Sequence, residues 1–209
     1  MFLKCIPVGQ LGANCYIICD TETKIGAVID PGEFDGNVKK AMEMSGMKEL
    51  KYILCTHGHY DHIGGVSEMK KEYPNAKICI GKEDAPYLTD GDLSLANLFY
   101  GAFHPCKADL EFCGGDTFSI GNINVKIHSA PGHTPGGVLY VLEEEKVIFT
   151  GDTLFCGSVG RTDFKGGNSS DLMKTLESIK KYPNDYVIYT GHGENSNIGN
   201  EKRNNMFLR

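Results

Sequence analysis

Short apolar runs separated by glycine and proline dominate the first half of the chain and predict β-strands. FLKCIPV, NCYIICD and IGAVID occupy the first thirty residues, and KYILCT (51–56) and AKICIG (76–81) have the length and composition of buried strands. Two segments show helical spacing of apolar residues instead, at 34–45 and 66–73. The first half therefore predicts a sheet with helices packed on it.

The second half repeats this alternation of strands and a helix. DTFSI, INVKIHS, GVLYVLE, KVIFTG and DYVIYTG predict strands. Residues 171–182 give the clearest helix, and either Ser169 or Ser170 is expected to cap its start. The segment 82–115 mixes glycine, aspartate, proline and aromatic residues, and we expect a helix and a long loop that covers a site.

Two halves of similar build predict two central sheets with helices outside, a four-layer α/β arrangement. The chain has 209 residues, so we expect one domain over 1–209. Apolar residues make up 41% and charged residues 23%, as in ordinary globular proteins. The formal net charge is −6, so the chain lacks the excess of positive charge typical of nucleic-acid-binding proteins. We therefore expect no nucleic-acid partner.

Neither end of the chain indicates export or a membrane. The N-terminal sequence lacks the charged start and long apolar run of a signal peptide, and no stretch approaches 18 apolar residues. Eight cysteines are present, most of them in apolar runs. In a chain of this length we expect them to be reduced thiols, and the protein to be cytoplasmic.

The segment Thr56-His-Gly-His-Tyr-Asp-His62 carries the densest chemistry of the chain. Imidazole and carboxylate groups are common ligands of zinc and other divalent metals. A helix would make positions 57 and 59 diverge, whereas a loop can bring them together, and Gly58, Gly64 and Gly65 favour such a turn. The predicted ligands of this segment are His57, His59, Asp61 and His62.

Three further candidate ligands follow other predicted strands. His133 lies in APGHTPGG after INVKIHS, Asp152 directly follows KVIFTG, and His192 follows DYVIYTG. In open α/β sheets, binding sites collect at such strand ends. The recurrence of one local design predicts that these residues join the histidine-rich segment in a metal site.

Other polar residues allow more than one interpretation. We expect His104 and His128 to be hydrogen-bonded structural residues. Asp30 follows a predicted strand, and it either orients a histidine ligand or makes a turn. For Arg161 and Asp163 three roles are open: a pair that shapes the rim of the site, contact with a charged substrate group, or a structural ion pair that fixes the loop 155–167 and would require partial burial.

THGHYDH is similar to the T-H-x-H-x-D-H signature of the metallo-β-lactamase superfamily, and APGHTPGG, FTGDTLF and YTGHGE match its remaining ligand motifs in order. GSVGRTDFKGG and the C-terminal GHGENSNIGNEKRNNMF resemble short members of its glyoxalase II-like group. The resemblance implies an αββα sandwich that binds two divalent metal ions. Zinc is the expected metal, and iron and manganese are the alternatives. The resemblance places His57, His59 and His133 on one ion, Asp61, His62 and His192 on the other, and Asp152 between them.

The resemblance implies a hydrolase that attacks a small-molecule thioester with a metal-bound hydroxide, with Asp61 steering it. S-lactoylglutathione or a related thioester is the expected substrate. The match departs from full glyoxalase II, because only 17 residues follow His192 and leave no room for its glutathione-binding helical domain. The cysteines have no assigned role, and the oligomeric state is open.

Several rivals remain at this stage. Persulfide dioxygenases resemble the chain and share a GRTDF-type loop, but they use a single iron. An inactive metal-binding scaffold would typically have lost a ligand, whereas all seven candidates are present. True β-lactamases usually lack a histidine at position 62, and diiron oxygen reductases of this fold usually have a glutamate at position 59. Hydrolysis of a thioester is therefore the leading hypothesis.

Overall fold

Two six-stranded sheets form the centre of the molecule in the computed structural model, which describes residues 1–101 and 103–209. The first sheet follows the order of the sequence. Its first three strands are antiparallel, and the third to sixth are parallel. The strands are β1 (Phe2–Val8), β2 (Ala13–Cys19), β3 (Ile25–Ile29), β4 (Glu49–Leu54), β5 (Lys77–Gly81) and β6 (Leu110–Phe112).

The strands of the second sheet are β7 (Thr117–Ile120), β8 (Ile123–Ser129), β9 (Val138–Leu142), β10 (Val147–Gly151), β13 (Val187–Thr190) and β14 (Ser196–Asn197). Their order in the sheet is β14-β13-β10-β9-β8-β7, and β10 and β13 are its parallel pair. A separate two-stranded hairpin is formed by β11 (Leu154–Phe155) and β12 (Ser158–Val159).

Helices cover the outer faces of both sheets. No helix in the described part of the chain combines the length and the apolarity needed to cross a bilayer. The helices are α1 (Gly36–Ser45), α2 (Tyr60–Ile63), α3 (Val66–Glu72), α4 (Ala96–Phe99), α5 (Ser169–Ile179) and α6 (Ile198–Asn204), with a 3₁₀ helix at Lys82–Leu88.

The alternation of side chains along the strands builds the layers. In β2, Cys15 and Ile17 pack with α1 and α3, whereas Tyr16 and Ile18 point between the two sheets. The outer face of the second sheet packs on the apolar stripe of α5, which includes Leu172. Full burial of one aliphatic side chain stabilises the folded state by about 1.5–3 kcal/mol. The three apolar clusters, which lie between successive layers, therefore hold the two helical layers and the two sheets together. The predicted αββα architecture is confirmed.

Several predicted boundaries were wrong. The predicted helix 171–182 is α5, which begins at Ser169, ends at Ile179 and is capped by Asn168 rather than by a serine. Asn168 Oδ1 accepts hydrogen bonds from the backbone N–H groups of Ser170 and Asp171 at 2.9 and 3.2 Å. Asparagine is as good an N-cap as serine, and the polar NSSD run concealed which residue takes that position.

The segment 82–115 was also only partly predicted. Its described residues, which leave out Ala102, contain the 3₁₀ helix, the four-residue helix α4 and the edge strand β6, in place of one helix and a loop. β6 has three residues, of which only Phe112 is buried, so the strand is too short for alternation to reveal it. Helix α6 was missed for a related reason: its sequence IGNEKRN is almost wholly polar, with Ile198 as its buried aliphatic residue.

Candidate metal centre

The candidate ligands meet at one edge of the sandwich because the strands that precede them point the same way. β3 and β4 are parallel, and so are β10 and β13. β8 is antiparallel to β9, which is antiparallel to β10, so β8 also ends at this edge. The loops after these five strands carry Asp30, the segment His57–His62, His133, Asp152 and His192.

The histidine-rich segment turns sharply and then enters α2 at Tyr60. Gly58 and Gly65 allow close approach of neighbouring residues, and none of the three glycines has a positive φ, which corrects the sequence-based explanation. Gly64 has an ordinary φ of −56° and Gly65 one of −87°. A Cβ atom on Gly58 would lie 2.3 Å from Tyr87 Cβ, and one on Gly65 would lie 2.7 Å from the backbone of Glu33. Larger residues would push the ligand loop off its supports.

His57, His59 and His133 form the first group of donors. One ring nitrogen from each lies within 4.8 Å of the others, and all three side chains are buried. His59 Nδ1 is 2.8 Å from His133 Nε2, and the rings of His57 and His59 are nearly perpendicular. Three imidazoles that converge in this way match the three-histidine donor set of a zinc ion.

Asp61, His62 and His192 form the second group. His192 Nε2 lies 3.1 Å from Asp61 Oδ2 and 3.2 Å from His62 Nε2, and His62 Nε2 lies 3.5 Å from Asp61 Oδ2. Two ligand atoms on one tetrahedral ion are about 3.3 Å apart when metal–nitrogen distances are near 2.0–2.1 Å. The spacing of these donors therefore suits a shared cation.

Asp152 lies between the two groups. Its Oδ1 is 3.3 Å from His62 Nε2, and its Oδ2 is 3.7 Å from His133 Nε2 and 3.6 Å from His192 Nε2. Asp152 Oδ1 and His57 Nε2 are buried and lack a hydrogen bond of acceptable geometry. An unsatisfied buried polar atom costs about 1–3 kcal/mol, so these atoms fit the role of ligands to divalent cations.

A network centred on Asp30 fixes the histidine rings. Asp30 accepts hydrogen bonds from Thr56 N and Thr56 Oγ1, each at 2.7 Å, and its Oδ2 lies 3.1 Å from His62 Nδ1. Because the Thr56 hydroxyl donates to Asp30, its oxygen is left to accept from His57 Nδ1 at 3.1 Å. His57 and His62 thus carry their protons on Nδ1 and direct Nε2 to the centre.

His133 is oriented in the same way by the backbone. Its Nδ1 lies 2.7 Å from the carbonyl oxygen of Arg161, to which it donates, so Nε2 is free to face Asp152. His59 is reversed, because its Nδ1 faces the centre. The hydrogen bonds therefore leave the Nε2 lone pairs of His57 and His133 facing the centre, whereas the buried Nε2 of His59 has no hydrogen-bond partner in the part of the chain that the structure describes.

Burial controls the charge of the first group. It lowers the pKa of His57 well below the usual value, with His62 adding to the effect. Burial and the neighbouring His133 lower the pKa of His59 to about 3. Both rings are therefore neutral near pH 7, which is the form that binds a metal ion.

In the second group, neighbouring charges outweigh burial in setting the pKa values. Burial opposes protonation of His62, but Asp152 and Asp61 outweigh it and raise the pKa of His62. Burial also acts against ionisation of Asp61, yet His62 and His192 lower the pKa of Asp61. A cation that replaces the proton on His62 would keep both carboxylates ionised.

Asp84 supports the site and was not predicted from the sequence. It is fully buried at the start of the 3₁₀ helix. Its Oδ2 accepts from Gly58 N at 2.9 Å and its Oδ1 from Gly136 N at 2.6 Å, so it joins the two ligand loops. Burial raises the pKa of Asp84 to about 6. Asp84 follows strand β5, just as each candidate ligand follows a strand. This position after a strand is the sequence signal that could have identified Asp84.

The remaining candidates lie outside the ligand groups. Arg161 and Asp163 are exposed and form a bidentate ion pair with both distances at 2.7 Å. The Arg161 guanidinium also stacks 3.9 Å above the centre of the Phe164 ring. His128 hydrogen-bonds with Tyr182 and Ser178 on the far side of the second sheet. His104 is exposed, beside a cleft that borders Asp61.

A cleft of about 540 Å³ opens above the centre. His59, Asp61, His133, Asp152 and His192 line its floor, and apolar side chains form its walls. Its size suits a small organic molecule. Substrate held there would have direct access to both donor groups.

Comparison with known proteins agrees with this geometry. The chain is 36% identical over 214 residues to hydroxyacylglutathione hydrolase GloC from Haemophilus influenzae, covering 100% of this chain and 98% of that protein. The crystal structure of the BLEG-1 B3 metallo-beta-lactamase superposes with a TM-score of 0.92 at 28% identity, covering 99% of both chains. That of TTHA1623 in a di-iron-bound form gives 0.86 at 27% identity, covering 98% of this chain and 100% of that one.

The family model of the metallo-beta-lactamase superfamily matches residues 8–192. This range contains all seven candidate ligands as well as Asp30 and Asp84. Proteins of this superfamily bind divalent metals and are mostly metal-dependent hydrolases. The chain belongs to the metallo-beta-lactamase superfamily.

Proposed function

We propose that the protein is a metal-dependent thioester hydrolase of the glyoxalase II type, acting on S-lactoylglutathione or a related thioester. One observation carries the proposal: two groups of three donors share Asp152 at the floor of an open cleft. The similarity to GloC along nearly the whole of both chains supports the same class of reaction.

We assign two divalent cations to this site, with the ligand sets described above. Zinc is the first choice, because three histidines with a shared carboxylate suit it well. Iron and manganese accept the same donors, and availability often decides between them. The di-iron form of TTHA1623 supports a two-metal site in a chain of similar sequence.

When bound, the cations lower the pKa of water towards 7 and polarise the thioester carbonyl. Asp61 is 13% exposed at the floor of the cleft, where its carboxylate can accept a hydrogen bond from the attacking water and orient it. The water oxygen bonds to the acyl carbon, and the carbon–sulfur bond breaks. The products are a carboxylic acid and a thiol, and the thiolate leaves with little help from an acid because its pKa is near 8.5.

No cysteine is needed as the nucleophile. All eight cysteines are free, and burial raises the pKa of the Cys15 and Cys55 thiols well above the ordinary value. Thiols of this kind are structural rather than reactive. We propose that the protein is cytoplasmic, the compartment in which thiols stay reduced.

The test is hydrolysis of S-lactoylglutathione by protein loaded with zinc, compared with the same protein treated with a chelator. We expect turnover that is lost on chelation and restored by metal. Asp61→Asn should lower kcat by about 10²-fold or more, because the amide holds the metal and orients water poorly. His128→Gln is the matched control, since this histidine lies on the far side of the second sheet, and it should turn over normally.

The persulfide dioxygenase reaction is measured on the same sample by oxygen uptake with glutathione persulfide. That reaction uses a single iron, whereas both donor groups are complete in this chain. Oxygen uptake by iron-loaded protein, without thioester turnover under any metal, would overturn the hydrolase proposal.

A further inference from the structure

The walls of the cleft above the metal centre are aromatic and aliphatic. Phe164 lies 6.0 Å from both His59 and Phe99, measured between ring centroids, and Phe99 stacks on Tyr60 at 5.9 Å. These four rings form a continuous wall that begins at a candidate ligand. Leu11 lines the same cleft.

Two of these apolar side chains face solvent. Leu11 is 52% exposed and Phe99 is 46% exposed. Exposed apolar surface gathered in a cleft, rather than scattered singly, marks a place where an apolar group binds. The wall thus fits an apolar part of a substrate next to the reacting carbonyl.

Apart from the cations proposed at its floor, the described lining of the cleft offers little positive charge to an anionic carrier. Among the described residues that line it, Arg161 is the one lysine or arginine, and Asp163 already holds its guanidinium at two points. A second cleft of about 310 Å³ continues from the first past Tyr60 and Asp61, and Glu33 and Glu68 line it. Its described lining contains no lysine or arginine.

Glutathione carries two carboxylates and one ammonium group, so its thioesters have a net negative charge. Wherever their carboxylates lie inside the two clefts, they would meet apolar walls or the carboxylates of Glu33 and Glu68. A carboxylate that loses water without gaining a partner is strongly disfavoured. An uncharged carrier avoids this cost, and an apolar acyl group gains from contact with the wall.

We infer that the preferred substrate is a thioester with an apolar acyl group on an uncharged thiol carrier, rather than a lactoyl ester of the anionic tripeptide. This inference rests on the proposed thioester hydrolysis and narrows its substrate. Leu11 and Phe99 are the residues that select the acyl group.

The experiment uses four thioesters with the zinc-loaded full chain: the lactoyl and phenyllactoyl esters of glutathione and of N-acetylcysteamine. The two acyl groups differ only by a phenyl ring, and the two carriers differ in charge. Each kcat/KM is divided by the rate of hydrolysis in hydroxide alone. We expect the phenyl ring to raise kcat/KM about tenfold or more on either carrier, and the N-acetylcysteamine esters to exceed the glutathione esters by a few-fold.

Leu11→Ser and Phe99→Ser should each lower the ratio of phenyllactoyl to lactoyl kcat/KM by about threefold to tenfold. Both side chains are partly exposed, so the substitutions leave the core intact. Met44→Ser is the matched control, because Met44 is 57% exposed on α1, which covers the outer face of the first sheet. It should leave the ratio unchanged.

The outcomes separate the two proposals. Hydrolysis of none of the four esters by metal-loaded protein would overturn the thioester hydrolase itself. A phenyl preference below threefold would overturn only the narrower inference, as would faster turnover of glutathione esters than of N-acetylcysteamine esters. Selectivity that survives both cleft substitutions would also overturn it.

Discussion

Asp30 Oδ2 lies 3.1 Å from His62 Nδ1, and both side chains are buried beneath the metal centre. Asp30 has a positive φ of 52°, a conformation that aspartate and asparagine tolerate better than most residues. The carboxylate accepts a hydrogen bond from His62 Nδ1–H, which leaves Nε2 as the ring nitrogen that can bind a metal. Asp30 thus lies at a turn and also contacts the ring of a candidate ligand, so the structure is compatible with both roles that the sequence left open.

Asp30→Asn should weaken the binding of metal to the group of Asp61, His62 and His192. Asparagine keeps the backbone conformation, but its amide presents a donor where one carboxylate oxygen accepts. We expect the affinity to fall about 10–100-fold, measured by competition with a chromophoric chelator. Asp35→Asn is the control, since Asp35 caps α1 and asparagine caps equally well. Equal affinities of the two variants would contradict the role of Asp30.

Removal of metal should destabilise the fold. Without cations, Asp152 Oδ1 and His57 Nε2 are buried and have no well-formed hydrogen bond to any residue that the structure describes. Metal at 100 times its Kd contributes about 2.7 kcal/mol through preferential binding to the folded state. We therefore expect the Tm to fall on treatment with a chelator and to recover with added zinc. A Tm that does not change would show that these side chains bind no ion.

Asp84→Asn should change how stability depends on pH. Burial raises the pKa of Asp84 from 3.8 to about 6, so the folded state binds a proton more tightly than the unfolded state. The resulting stabilisation is complete below pH 3.8 and is lost as the pH rises through about 6. In metal-free protein, the free energy of unfolding should fall by about 1 kcal/mol more in the wild type than in the variant between pH 5 and pH 7.5. Denaturant titrations at the two pH values measure this, and parallel losses would refute it.

Glu201 should be essential for the hairpin β11–β12 at the rim of the cleft. It is fully buried and accepts from Gly157 N at 2.8 Å and from Asn205 Nδ2 at 2.9 Å. Glu201→Ala leaves buried hydrogen-bond donors without partners. It should lower the free energy of unfolding, measured by urea denaturation, by about 2–3 kcal/mol. Glu177→Ala removes an exposed carboxylate whose ion pair with Lys180 lies at the surface, and should cost less than about 1 kcal/mol.

Most of the fold could be predicted because the strands are strongly apolar. β2, β9 and β10 are buried throughout, so their sequences read as continuous apolar runs. β6 and α6 could not be predicted in this way. Their stability comes from pairing with β5 and from the buried carboxylate of Glu201, and neither leaves a periodic pattern.

The candidate ligands could be found because their chemistry is dense and each follows a strand. The residues that hold the ligand loops in place were harder to predict. Asp84 acts through backbone N–H groups of Gly58 and Gly136, and no residue type marks that contact in a sequence. The apolar cleft was also hidden, because Leu11 and Phe99 are far apart in the chain and meet only in the folded protein.

Metal content tests the central claim most directly. Mass spectrometry on protein purified without added metal should find about two divalent ions per chain in the wild type. His192→Ala removes a partly exposed ligand from one donor group only, and should reduce the content to about one ion, with loss of thioester turnover. His128→Gln should keep two ions. One ion per chain in fully active wild-type protein, unaffected by His192→Ala, would contradict the two-metal account.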